Sequence, residues 1–170
     1  MKRRPAPLVI LAAGGTGGHM FPAEALARAL GARGAAVALV TDRRGQAFGD
    51  SLPDVAVHRI HAGRLGRGLF VRTRAVLDMG RGVFEARRLL KRLKPSVVVG
   101  FGGYPSIPTV IAARTLRIPV VLHEQNALLG RANRRLAARA AAIATSFARV
   151  TLLPENRAAS LTGNAVRPGI

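Results

Sequence analysis

Short apolar runs rich in Val, Ile and Leu alternate along this chain with longer helical stretches, and glycine or proline stands at most junctions. That alternation constrains the fold more than any other feature. Strands are predicted at 7–13, 36–41, 55–60, 96–101, 119–123 and 142–145. Helices are predicted at 22–33, with Pro22 in the first turn and Gly34 as the C-terminal cap, and at 69–94, 106–116 and 130–139. Strands this apolar are buried on both faces, and strands separated by helices pair in parallel. The expected fold is therefore α/β: a doubly wound, Rossmann-like parallel sheet. A length of 170 residues suits one such domain.

Ligands of doubly wound sheets bind beyond the carboxyl ends of the strands. Three loops there carry unusual residues. The first, Gly14-Gly15-Thr16-Gly17-Gly18-His19, joins a strand to a helix; its glycines admit a close ligand, and the helix start offers free N–H groups to a phosphate. No Lys-Ser/Thr follows, so it is not a P-loop, and Met20 stands where a dinucleotide fingerprint needs its third glycine. Asp42 at the end of the second strand keeps a ribose-binding, oxidoreductase alternative open. The second loop, Gly102-Gly103-Tyr104-Pro105-Ser106, repeats the arrangement, with Ser106 open to reading as a helix cap. The third is a dense polar cluster, His123-Glu124-Gln125-Asn126.

Charge narrows the partners. The chain carries 27 Lys+Arg against 8 Asp+Glu, a net charge of +19, yet 49% of its residues are hydrophobic, so it is no disordered basic tail. A nucleic-acid binder would gather its cations on one face or interleave them with aromatics. Here arginines spread along the whole chain and only 4% of residues are aromatic, so nucleic acid is not the expected partner. Cysteine is absent, which excludes disulfides and thiol nucleophiles. With no Asp-x-Asp pair, and with His58 and His61 set to opposite faces if both lie on a strand, no metal and no cofactor are expected.

Together, in order, the glycine loop followed by Met20-Phe21-Pro22, the Gly-Gly-Tyr loop, His123-Glu124-Gln125-Asn126 and Gly163-Asn164-Ala165-Val166-Arg167 resemble the MurG family, the UDP-N-acetylglucosamine–N-acetylmuramyl-(pentapeptide) pyrophosphoryl-undecaprenol N-acetylglucosamine transferases. The resemblance covers this chain but only the N-terminal half of a family member. It implies a GT-B architecture, with 1–162 as the acceptor-binding domain, 163–170 as the start of the interdomain linker and the C-terminal donor-binding domain missing. It implies an inverting transfer of N-acetylglucosamine from UDP to lipid I, forming lipid II at the cytoplasmic face of the bacterial inner membrane. This half alone is expected to be inactive.

Carried over residue by residue, the resemblance places Thr16, Gly17, Gly18, Asn126 and Arg167 on UDP-N-acetylglucosamine. Gly14, Gly15, Gly102, Gly103 and Tyr104 fall on the acceptor diphosphate, and His19 matches the proposed general base, with Glu124 a second candidate. Ala165 departs from the proline usual in the last motif. A transferase acting on another lipid-linked acceptor is the alternative within this architecture.

On the long helix, Val76, Met79, Val83, Ala86, Leu90 and Leu93 follow core spacing, and Phe70, Leu77 and Phe84 form a second apolar stripe. Arg72, Arg74, Arg81, Arg87 and Arg88 stand near it. The second stripe suits an anionic membrane surface; a broad buried face with a solvated back is the other reading.

Overall fold

The computed structural model describes residues 6–14, 16–42, 55–63 and 68–166. Gly15, Arg167 and the side chain of Phe70 lie outside the described residues, as do the start of the chain and the end of the expected linker. In chain order the elements are β1 (Leu8–Ala12), α1 (Gly17–Gly31), β2 (Ala36–Thr41), β3 (Ala56–Arg59) and α2 (Leu69–Leu93). They continue with β4 (Val97–Gly100), α3 (Ser106–Thr115), β5 (Val120–Glu124), α4 (Arg131–Leu136), a 3-10 turn at Ala137–Arg139, β6 (Ala142–Thr145) and β7 (Ser160–Leu161).

All strand pairs among the described residues are parallel, in the order β3-β2-β1-β4-β5-β6-β7. The fold is the doubly wound, Rossmann-like α/β sheet that the alternation predicts. Alternate strand residues face opposite sides. Val9, Leu11 and Phe101 pack with Met20, Ala23 and Ala27 of α1 on one face. Ile10, Ala12 and Leu122 pack with Ala86 and Leu90 of α2 and Val110 of α3 on the other.

Two helix boundaries differ from the sequence reading. Helix α1 begins at Gly17, five residues before Pro22, which lies inside it. The backbone N–H groups of His19 and Met20 both close onto the Thr16 carbonyl, so the glycine loop itself forms the first turn. The basic segment after β5 is shorter than expected, with α4 tightening into the 3-10 turn.

Helix α2 is seated very closely. A Cβ on Gly82 would stand 1.9 Å from the His61 carbonyl oxygen, so only glycine allows the backbones to touch there. Glu85 accepts from the His61 N–H at 2.9 Å and from Arg81 Nε at 3.1 Å, and its carboxylate also meets His61 Nδ1 at 2.9 Å. Burial pushes the Glu85 carboxyl up, but these bonds together hold it below its ordinary value. His61 thus lies past the end of β3 and is occupied by Glu85. No three His, Asp or Glu among the described residues are grouped so as to hold a metal ion.

Candidate active site

The strand order reverses direction between β1 and β4, and the loops leaving these two strands flank that crevice. They touch. A Cβ on Gly14 would lie 2.7 Å from Pro105 Cγ, and one on Gly103, whose φ is +74°, would lie 2.6 Å from the Gly14 carbonyl oxygen. These glycines are needed first for loop-on-loop packing. Ser106 helps hold the second loop, donating its hydroxyl to the Gly103 carbonyl at 2.9 Å. It therefore does not cap α3, where Pro105 holds the N-cap position.

His19, half-buried in the first turn of α1, fits against this pair. Its ring carbons would meet a Cβ on Gly102 at 3.3 Å and one on Gly103 at 3.2 Å. On its other side, Nδ1 lies 3.0 Å from Gln125 Oε1. Gln125 Nε2 lies 2.9 Å from His123 Nδ1 and 3.1 Å from the His123 carbonyl. His123 Nε2 in turn meets the Gly163 carbonyl at 3.3 Å. Burial lowers the affinity of His123 for a proton below the ordinary imidazole value, against the opposing pull of the Gly163 carbonyl and the Glu124 carboxylate. Its ring also lies against Phe101, with centroids 5.4 Å apart.

Glu124 is 1% exposed and fully engaged. One oxygen accepts from Asn126 N at 3.1 Å and Asn126 Nδ2 at 3.0 Å; the other accepts from Gly130 N at 2.8 Å and Asn133 Nδ2 at 3.0 Å. A carboxylate has about four lone-pair sites, and four donors fill them. Of the two candidate bases, the geometry makes Glu124 the organiser of the 124–133 loop and leaves His19 at the crevice. Asn133 also donates to the His123 carbonyl at 3.1 Å. Its Oδ1 is buried and finds no donor among the described residues, an arrangement that costs about 1–3 kcal/mol unless a ligand or water fills it.

A cavity of about 430 Å³ opens among these groups, lined by His19, Gly102, Gly103, Tyr104, Glu124, Asn133 and the α4 residues Arg131 and Arg135. The proposed acceptor residues Gly102, Gly103 and Tyr104 thus meet His19 at one opening. Gly14 is buried behind them. Thr16, Gly18 and Asn126 are exposed outside this cavity, and Thr16 holds the N-cap position of α1 without a side-chain capping bond. The structure adds Asn133, Arg131 and Arg135 to the site and sets Gln125, part of the polar cluster after β5, against His19. The spacing of Arg131 and Arg135, four apart on a short basic helix, was the available signal for the arginines. Met20, at the position of the missing third glycine, is fully buried in the core against β1 and β4, so its side chain serves packing.

A Rossmann-like domain with paired glycine loops and a histidine at the reversal point is the class defined by this fold and site. Residues 9–145 match the glycosyltransferase family 28 N-terminal domain, and the chain belongs to that family. It is 60% identical over 164 residues to the UDP-N-acetylglucosamine–N-acetylmuramyl-(pentapeptide) pyrophosphoryl-undecaprenol N-acetylglucosamine transferase of Rhodospirillum centenum, a match covering 95% of this chain and 43% of that protein. The transferase of the same name from Paramagnetospirillum magneticum is 51% identical over 167 residues, covering 96% of this chain and 45% of that protein. Among solved structures, Acinetobacter baumannii MurG superposes with a TM-score of 0.76 at 30% identity, over 96% of this chain and 47% of that chain. A UDP-N-acetylglucosamine 2-epimerase shares the fold, with a TM-score of 0.65 at 16% identity over 90% of this chain and 46% of that one. The chain spans less than half the length of the curated relatives it matches.

The outer face of α2 corrects one part of the sequence reading. Val76, placed in the core stripe by its spacing, is 64% exposed, beside Leu77 at 69% and Phe84 at 60%. Among its described side chains, α2 buries Ala75, Gly82, Ala86, Leu89 and Leu90. The core stripe is shifted by one residue where the helix passes the 61–63 segment, where a Cβ on Gly82 would meet the His61 carbonyl oxygen and one on Gly63 the Ala75 carbonyl oxygen, each at 1.9 Å. Arg72, Arg74, Arg81 and Arg88 are exposed around the apolar strip, and Arg88 lies 5.6 Å over the Phe84 ring. Arg87, half-buried, donates to Thr115 instead. No described helix is long and apolar enough to cross a membrane.

Proposed function

We propose that this chain is the acceptor-side half of an inverting N-acetylglucosamine transferase, with 1–162 as the domain and 163–170 as the start of the linker to a donor-binding half. The single observation that carries the reading is the convergence of the β1, β4 and β5 loops on His19 at the mouth of a cationic cavity. An inverting displacement requires a base on the acceptor hydroxyl and charge stabilisation for phosphate groups. In this reading His19 takes the proton from the muramyl hydroxyl of lipid I. Gly102, Gly103 and Tyr104, with Arg131 and Arg135, receive the acceptor diphosphate, and arginine can fork onto it through two N–H groups. The exposed Thr16, Gly18 and Asn126, with the half-buried Gly17 and with Arg167, are assigned to UDP-N-acetylglucosamine held by the other half.

The apolar strip of α2 extends the proposal. An acceptor carried on a polyprenyl chain stays in the bilayer, so the domain must reach it there, at the cytoplasmic face of the inner membrane. Val76, Leu77 and Phe84 enter the interface, and the surrounding arginines meet anionic headgroups, each contributing about 1 kcal/mol.

The test joins this chain to a donor-binding half from a relative and supplies lipid I with UDP-N-acetylglucosamine. UDP release and lipid II formation are expected only from the joined protein. Lipid II formed by this chain alone contradicts the division of labour, and no product from a folded joined protein contradicts the acceptor assignment.

A further inference from the structure

The hydrogen bonds around Gln125 have a direction that their acceptors determine. A backbone carbonyl can only accept, so the Gln125 atom 3.1 Å from the His123 carbonyl belongs to the amide NH2. The amide oxygen therefore faces His19 and can only accept. The His19 Nδ1 that it meets at 3.0 Å must carry a proton. A neutral imidazole holds one proton, which leaves Nε2 bare. The same logic runs onward. Gln125 Nε2 donates to His123 Nδ1 at 2.9 Å, and His123 Nε2 donates to the Gly163 carbonyl at 3.3 Å. Gln125 Nε2 can only donate, so His123 Nδ1 accepts, and burial, which lowers the proton affinity of His123, favours the neutral ring that this requires.

We propose that Gln125 is a positioning residue that fixes His19 in the Nδ1–H tautomer and so presents Nε2 as the proton acceptor. The tautomer itself follows from the bonds above; its catalytic use rests on the transferase reading. The glycines at 102 and 103 complete the device. Side chains there would press on the imidazole, whereas the bare backbone lets the ring lie against the loop and face Gln125. The chain of donors runs one way, from His19 through Gln125 and His123 to the Gly163 carbonyl, which lies where the proposed linker begins.

Long-range proton–nitrogen correlation spectra of the histidine-labelled chain, recorded above the imidazole titration range, read each tautomer directly. In the wild type, His19 is expected to be protonated on Nδ1. Gln125→Glu keeps an acceptor toward His19 and is expected to preserve that form. Gln125→Leu removes the acceptor, and the Nε2–H form is expected to become the majority. In the protein joined to a donor-binding half, Gln125→Leu is expected to lower kcat about 10- to 100-fold, with the KM for UDP-N-acetylglucosamine changed by less than about 2-fold and much of the rate recovered in Gln125→Glu.

Wild-type His19 protonated on Nε2, or one tautomer shared by wild type and Gln125→Leu, overturns the proposal. Should Gln125→Leu fail to fold, loss of the Nδ1–H form in Gln125→Glu overturns it equally. A tautomer that follows Gln125 while His19→Ala still transfers sugar supports the positioning and overturns the role of His19 as base.

Discussion

The carboxyl edge of the sheet and the outer face of α2 treat their side chains in opposite ways. At the edge, a buried carboxylate has every lone pair filled, and a histidine is tied through an amide to a second histidine and a backbone carbonyl. On α2, the large apolar side chains of Val71, Val76, Leu77 and Phe84 stand in the open among arginines. Buried polar groups that are fully satisfied make a rigid and specific arrangement. Exposed apolar groups gathered on one face gain nothing for the fold and mark a contact surface. One region is built to hold atoms in place; the other, in the proposed function, meets the membrane.

That contrast predicts a ranking of effects. The largest change in stability is expected from Glu124→Gln, which keeps the size but removes the charge and turns an amide donor toward existing donors. It should cost about 2–4 kcal/mol in urea unfolding, with the 124–133 loop losing amide protection. A cost below about 1 kcal/mol would show that the edge is not held by this carboxylate.

A middle-sized effect is expected from pH. Burial places the folded-state pKa of His123 below the ordinary imidazole value, so the unfolded chain binds the proton first. Stability is then full above that value and falls as the pH drops from there through the folded pKa. His123→Phe should flatten this part of the profile. His58 shifts the same way, through burial and then the nearby Arg92, and contributes to the slope that remains. An unchanged slope in His123→Phe would contradict a buried neutral His123.

The smallest stability effect should come from Leu77→Glu with Phe84→Glu, within about 0.5 kcal/mol of wild type, because both side chains are already in water. Flotation with anionic vesicles should nevertheless drop sharply in this double variant, while wild type binds anionic vesicles better than neutral ones. Equal binding to both kinds of vesicle would remove the electrostatic part of the proposal. A large loss of stability would show that the strip belongs to the core.

The same contrast separates what could be read from the sequence from what could not. Strands β2 and β6 both fall on the predicted residues; for β2, an apolar run between Gly34 and Asp42 leaves little choice of boundary. Helix α1 begins earlier than predicted because a proline inside a helix is costly, so Pro22 reads as a start, whereas the Thr16 carbonyl closes the turn ahead of it. β7 has only Ser160–Leu161, both exposed, and carries no periodic signal. Val76 lies on the wrong side of the predicted stripe because backbone contact at Gly82, which periodicity does not register, sets the rotation of α2. At the site, the loops were legible from their composition. The bond between His19 and Gln125 joins residues 106 apart, and only the parallel order of the sheet brings them together.

The central claim is that His19, presented at this edge, acts as the base for sugar transfer. The most direct measurement is kcat for lipid II formation by the joined protein carrying His19→Ala, beside its binding of UDP-N-acetylglucosamine. The account predicts a fall of about 10²- to 10⁴-fold in kcat with donor binding retained. A variant that folds, binds the donor and turns over within a few-fold of wild type would contradict it.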